Sequence, residues 1–442
     1  MSIRSSRSPR LWPWPSSPRP ARQPRRSTHG VRGWTFAVSA AMATVILAAA
    51  PPAQALRILN YNLLNYPGPS GTARAPYFRT VLGPLGSDVV VAHEISSAAG
   101  PSQFLNEVLN VLEPDQWTTQ PLIDGNDTDS AIFYKSSRVT FLGQSSFYPN
   151  PANHLRLVHV FRFRVAGYES AGAEFRIYAC HLKASQGYES QRLAECIGIR
   201  DSLNALPDGS CAFLMGDLNF YTQNSEPGYE RLVGPLADNS GRLSDLLPAG
   251  AWHDGPGFAF YHTQSTCRSG GCASGAATGG LDDRFDFTLP TYTLTTGQGL
   301  SVLPGTCIAV GNDGQHLNKA ITETPVIPEG SDYATALQLS SDHLPLRIDV
   351  QAPAMLAAAD RLVFPTVIVG APEVPVDLIV DNPALPPADT LDCSVIAPTG
   401  FTAPPALTVP AQELRRLPIT LSTAQAGYRA GDLQISSDAP DS

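Results

Sequence analysis

Six short segments of the sequence end in side chains that could do chemistry together. Each segment is an apolar run that stops at a carboxylate, an amide or a histidine, which is typical of a buried strand whose end reaches a polar site. The run over 211–215 is followed by a glycine and then by Asp217 and Asn219. Residues two apart on a strand point to the same side, so these side chains could together hold a water molecule or a metal-bound phosphate. An ordinary Asx turn that closes the strand is the alternative.

The other five segments end in similar side chains, and each ending also has an ordinary structural explanation. An amide or a histidine at a strand end can cap a turn or bond the core, and an aspartate can form a local ion pair. A glutamate at the end of a buried strand is usually paired with arginine or bound to metal. One ending alone therefore identifies no function. The five endings are Asn62, Glu94, His181, Asp286 and the pair Asp342-His343.

The elements that would position these residues alternate between strands and helices. Strict alternation of apolar and polar residues over 158–165 is typical of an antiparallel strand with one exposed face. The order of the elements predicts a mixed α/β core built in layers. Apolar runs predict strands over 56–64, 87–95, 129–135, 174–183 and 211–218, and helical spacing predicts helices over 103–112 and 189–206.

Taken together, the six segments resemble the endonuclease/exonuclease/phosphatase superfamily, which includes DNase I, exonuclease III-type repair enzymes, inositol polyphosphate phosphatases and neutral sphingomyelinases. They follow the family's order across residues 56–352. The resemblance implies a four-layer α/β sandwich of two mainly antiparallel sheets flanked by helices, with the site at one edge. The matching stretches are Asn60-Tyr61-Asn62, Ala92-His93-Glu94-Ile95, Cys180-His181-Leu182, Gly216-Asp217-Leu218-Asn219, Arg284-Phe285-Asp286-Phe287 and Ser341-Asp342-His343-Leu344-Pro345.

The resemblance also implies a role for each residue. Glu94 would bind a divalent metal, Mg²⁺ or Mn²⁺, with Asn62 and Asp342 nearby, and such hard oxygen ligands are those that Mg²⁺ prefers. The remaining roles implied by the resemblance belong to hydrolysis. Asp217 would position or deprotonate the attacking water, and Asn219 would hold a phosphate oxygen. His181 would donate to the leaving group or stabilise its charge, while His343, oriented by Asp286, would pair with the phosphate or act as a base.

One residue departs from the family pattern. The family usually has glutamine before the metal-binding glutamate, whereas this chain has His93. Neighbouring residues on a strand point to opposite sides, so we expect His93 to point away from Glu94 and to pack rather than to bind metal.

The first 55 residues predict a secretory signal peptide. They contain eight arginines between positions 4 and 32, no acidic residue and no lysine, followed by an apolar stretch over 34–50 and small residues around Gln54. This order is typical of a signal that is removed, and we expect cleavage after Ala55. The protein would then be secreted or periplasmic. No later segment has the length of a membrane span, so we expect no stable membrane anchor.

The charge of the chain constrains how it could hold a phosphate. The 30 lysines and arginines against 39 acidic residues give a formal net charge of −9. Without the eight N-terminal arginines, 22 basic residues remain against 39 acidic ones, a net charge of −17. Such a surface gains little from counterion release on a polyanion. A phosphate substrate must therefore be held locally, by a metal and a few cations.

Composition divides the rest of the chain in two. We predict a catalytic domain over 56–352 and an immunoglobulin-like β domain over 361–442, because an alanine- and proline-rich stretch separates them. The end of the chain resembles immunoglobulin-like modules of the Hydin type. Their closing strand is not found, so we expect a module that is truncated or completed by another chain, with a spacer or adhesion role.

The seven cysteines permit disulfides in a secreted protein. Cys267 and Cys272 lie close together in a loop rich in glycine and serine, and we predict that they pair. Cys180, Cys196 and Cys211 lie in or beside apolar segments and are predicted to be buried thiols.

These observations predict a secreted, metal-dependent phosphodiester hydrolase and, within that class, a nuclease acting on nucleic acid. A phospholipid or sugar-phosphate phosphoesterase, similar to sphingomyelinases, is the alternative that the acidic charge favours. A non-catalytic binding protein on the same fold is a third hypothesis. Loss of motif residues would support it, and apart from the change at His93 none is lost.

Overall fold

A computed structural model describes residues 55–441. The predicted signal peptide over 1–55 therefore lies outside the described residues, apart from Ala55. Among the helices of residues 55–441, none is long and apolar enough to cross a membrane.

The first part of the chain alternates strands and helices as expected. A π-helical turn, Leu105–Leu109, joins α2 to α3. The strands are β1 (Leu56–Tyr66), β2 (Val89–Ile95), β3 (Trp117–Thr119), β4 (Asp129–Lys135), β5 (Val139–Phe147), β6 (Val158–Val165), β7 (Glu174–His181), β8 (Ala212–Asp217), β9 (Asp286–Pro290), β10 (Ser301–Val302), β11 (Ile308–Ala309) and β12 (Leu346–Gln351). The helices are α1 (Gly71–Leu82), α2 (Gly100–Phe104), α3 (Asn110–Leu112), α4 (Glu189–Asn204), α5 (Pro227–Val233) and α6 (Ser331–Ser340).

Two stacked sheets form the centre of this part. The seven-stranded sheet has the order β10-β12-β1-β2-β4-β3, with β11 beside β12, and the five-stranded sheet has the order β5-β6-β7-β8-β9. Neighbours run antiparallel except in the pairs β1-β2 and β7-β8. Helices α1, α2 and α6 cover the outer face of the larger sheet, and α4 and α5 cover that of the smaller one. The predicted four-layer α/β sandwich is confirmed.

The central strands are continuous apolar runs because both of their faces are buried. In β2, Val90 and Ala92 pack beneath the outer helices, while Val89 and Val91 pack against the five-stranded sheet. The side chains of β8 divide in the same way between the sheet interface and the helices. A polar side chain inside such a strand therefore needs a buried hydrogen-bond partner, whereas one at the strand end can reach a polar site.

The C-terminal part forms a β-sandwich with its own core. One four-stranded sheet has the order β13-β14-β18-β16 and a three-stranded sheet has the order β17-β15-β19. Alternate residues fill the shared core, among them Leu378 and Val380 of one sheet and Leu391 and Cys393 of the other. That this sandwich is immunoglobulin-like stays a prediction. The strands are β13 (Ala357–Ala358), β14 (Pro375–Asn382), β15 (Leu391–Ile396), β16 (Phe401–Thr402), β17 (Ala406–Val409), β18 (Glu413–Leu421) and β19 (Gln434–Ser437).

The β-sandwich contacts the turn between β6 and β7. Both carboxylate oxygens of Asp441 accept backbone hydrogen bonds there, from Glu169 N at 3.0 Å and from Ser170 N at 2.6 Å. His181 lies at the opposite end of β7. This contact is therefore remote from the strand ends that carry the predicted site.

One disulfide closes the loop ahead of β9. It joins Cys267 to Cys272, which confirms the predicted pair. Cys180, Cys196 and Cys211 are free and buried, as the sequence predicts.

A buried histidine fixes the orientation of Asn60, whose side chain links the two sheets behind the predicted site. Asn60 donates through Nδ2 to the carbonyl of Phe287 across the sheet interface at 2.9 Å, so its Oδ1 faces Nε2 of His93 at 2.8 Å. Nε2 must therefore carry the proton, and Nδ1 is free to accept from the Ser130 hydroxyl at 2.9 Å. Burial lowers the pKa of His93 to about 3, so the ring is neutral and acts in packing.

We expect acid to destabilise the fold partly through His93. The unfolded chain binds a proton on this ring below about pH 6.5, whereas the folded chain binds it only near a pKa of about 3. This contribution to stability is full above about pH 6.5 and falls as the pH decreases, by up to about 1.4 kcal/mol per pH unit. His93→Gln cannot charge, and it should reduce the loss of unfolding free energy between about pH 6.5 and 4.5 by about 2 kcal/mol.

Urea denaturation in buffer containing EDTA measures this difference. His154→Gln, at an exposed position, is the matched control and should keep the acid sensitivity of the wild type. Equal acid losses in the wild type and in His93→Gln would contradict the role of the buried ring.

Candidate active site

The polar strand ends of the two sheets meet at one edge. In the five-stranded sheet, the register places His181 beside Asp217 across β7 and β8, and Asp217 beside Asp286 across β8 and β9. In the seven-stranded sheet, Asn62 of β1 lies at the end of β2, next to Glu94. Side chains that are far apart in sequence are thus gathered in one place.

A bulge turns Glu94 into this site. The pairing of β2 with both of its neighbours shifts register here, and Glu94 has a left-handed backbone with φ of 59°. A β-bulge re-aims a side chain that regular alternation would send to the other face. As a result, Glu94 Oε1 accepts from Asn62 Nδ2 and Oε2 accepts from the backbone N–H of Asn65, each at 2.9 Å.

Gly216 lets β7 and β8 approach each other closely. A Cβ at this position would lie 1.7 Å from the carbonyl oxygen of Cys180, which excludes any larger residue. Directly beyond the glycine, His181 Nε2 lies 3.5 Å from Asp217 Oδ2. The glycine that precedes Asp217 is therefore required by packing.

Glu94, His181 and Asp217 form a cluster of potential metal ligands. One ligand atom from each lies within 4.8 Å of the other two. His181 Nδ1 is 3.7 Å from Glu94 Oε1 and is buried without a hydrogen-bond partner. Asn62 Nδ2 lies between the carboxylates, 2.9 Å from Glu94 Oε1 and 3.2 Å from Asp217 Oδ2. Two carboxylates this close, Asp217 buried and Glu94 partly buried, repel each other unless a proton, a donor or a cation lies between them.

Asp286 and His343 form a buried ion pair between the sheets. His343 Nδ1–H donates to Asp286 Oδ2 at 2.7 Å, and the other ring nitrogen, Nε2, lies 3.5 Å from Asp217 Oδ2. Burial acts to lower the pKa of His343, but the carboxylates of Asp286 and Asp217 outweigh it and raise that pKa well above the ordinary value. A charged ring at this position can bind an anionic phosphoryl oxygen.

Burial shifts the pKa values of Asp217 and His181 in the directions that favour their neutral forms. Burial raises the pKa of Asp217 to about 8; the charge of His343 opposes this shift, and the Asp286 and Glu94 carboxylates add to it. Burial also lowers the pKa of His181 well below its ordinary value. Burial therefore disfavours the charged form of Asp217, and a divalent cation beside it would favour the deprotonated carboxylate.

Asn219 forms the Asx turn that the sequence left as an alternative. Its backbone is left-handed with φ of 51°, and its N–H donates to Asp217 Oδ1 at 3.1 Å. Its side-chain Nδ2 donates to the carbonyl of Leu182 at 3.3 Å. The turn keeps the amide beside Asp217, so the turn and the site are the same feature.

Asp342 is directed differently from the other predicted ligands. Its Oδ2 accepts from the backbone N–H of Ala277 at 2.8 Å, in the loop over 266–280, and it is not one of the three clustered ligands. Asn62 Oδ1 accepts from Leu64 N at 3.0 Å, which leaves its Nδ2 facing the carboxylates. Among the three predicted metal ligands, Asn62 and Glu94 are thus in contact, and Asp342 is bonded to the loop.

The cluster fits a divalent cation. His181 Nδ1 has no hydrogen-bond partner, and the pKa of Asp217 is raised. Both observations fit a site that would be stabilised by a bound cation. Carboxylate oxygens suit Mg²⁺, and the added imidazole nitrogen is compatible with Mn²⁺. A second, more exposed group of His253, Asp282 and Asp283 also has ligand atoms within 4.8 Å of one another.

Sequence reasoning missed two residues at the site. Gln264 Nε2 lies 2.6 Å from His343 Nε2, and Arg156 donates to the carbonyl of Leu182 at 3.2 Å, next to His181. Neither residue ends an apolar run, so the pattern that located the other residues excludes both. Arg156 could have been found from its charge, because it lies just ahead of β6. Gln264 lies in irregular chain and gives no such signal.

Comparisons with known proteins concern the fold. No protein-family model matches the chain, and the comparison with curated proteins found no match. Solved structures similar to it include D. rerio TDP2 complexed with single strand DNA product, at 15% identity over 67% of this chain and 99% of that one, with a TM-score of 0.46. The human Nocturnin catalytic domain with bound sulfate anion is 16% identical over 67% of this chain and 94% of that one, with a TM-score of 0.44. An endonuclease/exonuclease/phosphatase family protein from Bacteroides thetaiotaomicron is 14% identical over 68% of this chain and 98% of that one, with a TM-score of 0.42. Identities this low say nothing of the substrate.

Two matched substitutions should change stability in opposite directions. Asp286→Asn leaves the buried His343 without its anionic partner, and we expect the unfolding free energy to fall by about 3 kcal/mol. Asp217→Asn removes a carboxylate that faces two others. At about pH 8 in EDTA it should raise the unfolding free energy by about 1 kcal/mol or more.

Chemical denaturation of both variants and the wild type measures these changes. A loss of stability in Asp217→Asn as large as that in Asp286→Asn would show that the two carboxylates have equivalent surroundings, contrary to the geometry.

Proposed function

We propose that this chain is a metal-dependent phosphodiester hydrolase and, within that class, a nuclease. The observation that carries the proposal is the convergence of Glu94, His181 and Asp217 beside the Asp286–His343 ion pair. Hydrolysis of a phosphodiester needs a positioned water, neutralised phosphoryl oxygens and a stabilised leaving oxygen. The site offers a group for each.

Each requirement is assigned to a different residue. Asp217, once deprotonated, accepts a proton from the attacking water. His343, kept charged by Asp286, donates from Nε2 to a phosphoryl oxygen, and the second N–H of the Asn219 amide donates to another. His181 is neutral because burial lowers its pKa. It therefore stabilises the leaving oxygen with a hydrogen bond rather than by giving up a proton.

We assign the metal to Glu94, with His181 and Asp217 within reach and Asn62 and Asp342 as further groups implied by the resemblance. When bound, Mg²⁺ or Mn²⁺ supplies positive charge that neutralises the phosphoryl oxygens. The Glu94 and Asp217 carboxylates would hold it, and the Asn62 side chain, whose Nδ2 donates to both of them, would position them.

The surroundings of His181 favour a nucleic-acid substrate. Lys183 Nζ lies 4.0 Å from the ring centroid of Tyr188, a residue that is 45% exposed. Arg156 lies beside Leu182 and also pairs with Asp127 at 2.8 Å. Cations and an exposed aromatic ring near His181 are a combination used to bind single strands. The acidic net charge of −9 is the observation that supports the second candidate, a phospholipid or sugar-phosphate phosphoesterase.

We further propose that residues 1–55 are a signal peptide, that 56–352 form the catalytic domain of a secreted protein, and that 361–442 are an immunoglobulin-like module. The module contacts the β6–β7 turn, remote from the site, which supports a spacer or adhesion role over one in catalysis.

We expect hydrolysis to depend on a divalent cation. The purified full chain is assayed on single- and double-stranded DNA, RNA, sphingomyelin and bis(4-nitrophenyl) phosphate, with Mg²⁺, with Mn²⁺ and with EDTA. Activity on DNA or RNA that EDTA abolishes and either metal restores is expected. Activity that persists in EDTA would contradict the metal site, and activity on sphingomyelin alone would favour the second candidate.

We also expect the site residues to control turnover. Asp217→Ala and His343→Ala should each lower kcat by a factor of about 10² to 10⁴, the range for removing an acid–base group. Asp208→Ala, an exposed aspartate in the turn before β8, is the control and should keep wild-type kcat. Normal turnover in either site variant, with folding verified by circular dichroism, would refute the assignment.

A further inference from the structure

Gln264 is held in place by backbone hydrogen bonds to the segments on either side of it. Its N–H donates to the carbonyl of Asp283 at 3.1 Å, and its own carbonyl accepts from Asp283 N at 3.0 Å. On the other side, the carbonyl of Thr263 accepts from Leu344 N at 2.8 Å. These two segments carry Asp286 and His343, so the segment containing Gln264 joins the two halves of the ion pair.

The side chain of Gln264 lies against the ring nitrogen of His343 that Asp286 leaves free. Gln264 Nε2 is 2.6 Å from His343 Nε2, closer than Asn62 Nδ2 at 3.4 Å or Asp217 Oδ2 at 3.5 Å. A carboxamide offers a donor and an acceptor. Rotated one way it donates to a neutral ring, and rotated the other way it accepts from a charged one.

Gln264 is also the most accessible of the groups around this nitrogen. His343, Asn62 and Asp217 are at most 3% exposed, whereas Gln264 is half-buried. A ligand that approaches from solvent therefore meets Gln264 first. The site already contains three carboxylates, which repel an anion. A neutral amide can donate a hydrogen bond to the anion without adding to that negative charge.

We propose that Gln264 is a substrate-binding residue, an inference that rests on the proposed function. In the free protein its carboxamide occupies the hydrogen-bonding position at His343 Nε2. In the substrate complex a phosphoryl oxygen of the phosphodiester takes that position, and the rotated amide donates from Nε2 to the same oxygen. The oxygen is then held between the imidazolium and the amide.

Two substitutions in the full chain test this contact. Gln264→Ala removes the donor, and Gln264→Glu keeps the shape but places a negative charge against the phosphoryl oxygen. KM and kcat are measured on bis(4-nitrophenyl) phosphate, and the affinity for inorganic phosphate with Mg²⁺ present is measured by isothermal titration calorimetry. Gln144→Ala is the control, because its amide bonds the carbonyl of Pro121 at 2.9 Å on the surface.

We expect Gln264→Ala to raise KM and the Kd for phosphate about tenfold, the loss of one hydrogen bond to a charged group. Its kcat should stay within about threefold of the wild type. Gln264→Glu should raise KM and the Kd for phosphate by about 30-fold or more, because its carboxylate also repels the anion. The control should match the wild type, and thermal unfolding should show all three variants to be folded.

The outcomes separate this inference from the proposed function. An active wild type whose KM and phosphate affinity are unchanged in both Gln264 variants overturns the inference and leaves the function standing. If the wild type hydrolyses none of the substrates but binds phosphate, and Gln264→Glu binds phosphate more weakly, the contact is supported and the proposed function is overturned. Absence of both hydrolysis and phosphate binding overturns both.

Discussion

The ion pair between Asp286 and His343 is the contact on which the rest of the site depends. It joins the first residue of β9 in one sheet to the segment that leads into β12 in the other, and both side chains are buried. A buried pair is costly to break, because one partner is then left as an uncompensated charge. By engaging Nδ1, it directs Nε2 toward Asp217 and Gln264, so the same contact aligns the sheets and orients the ring that faces the proposed substrate.

The site is richer in negative charge than its own residues can neutralise. Glu94, Asp217 and Asp286 face one imidazolium, and the second histidine, His181, is kept neutral by burial. The protein alone resolves the excess by placing the Asn62 amide between two carboxylates and by raising the pKa of Asp217 to about 8. Such an arrangement costs stability, and a cation relieves that cost at the position where a phosphoryl group would need positive charge.

The sequence predicts the parts of this arrangement that follow from alternation and burial. β8 is recognisable because both of its faces are buried, and the polar end after Gly216 then stands out. Alternation fails at Glu94, where a bulge that depends on both neighbouring strands re-aims the side chain. Alternation also does not predict that Asp342 Oδ2 accepts a hydrogen bond from Ala277, because that residue lies in a loop without a repeating pattern. Gln264 could not be predicted at all, because its position results from contacts with two segments distant in sequence.

The most direct test of the account is the position of a bound metal. Crystals of the full chain soaked in Mn²⁺ would be examined by anomalous diffraction at the manganese edge. The account predicts an anomalous peak within bonding distance of the Glu94 carboxylate, on the side facing Asp217, and loss of that peak in Glu94→Gln. A peak at His253, Asp282 and Asp283 alone, or a peak beside Asp217 that survives Glu94→Gln, would contradict it.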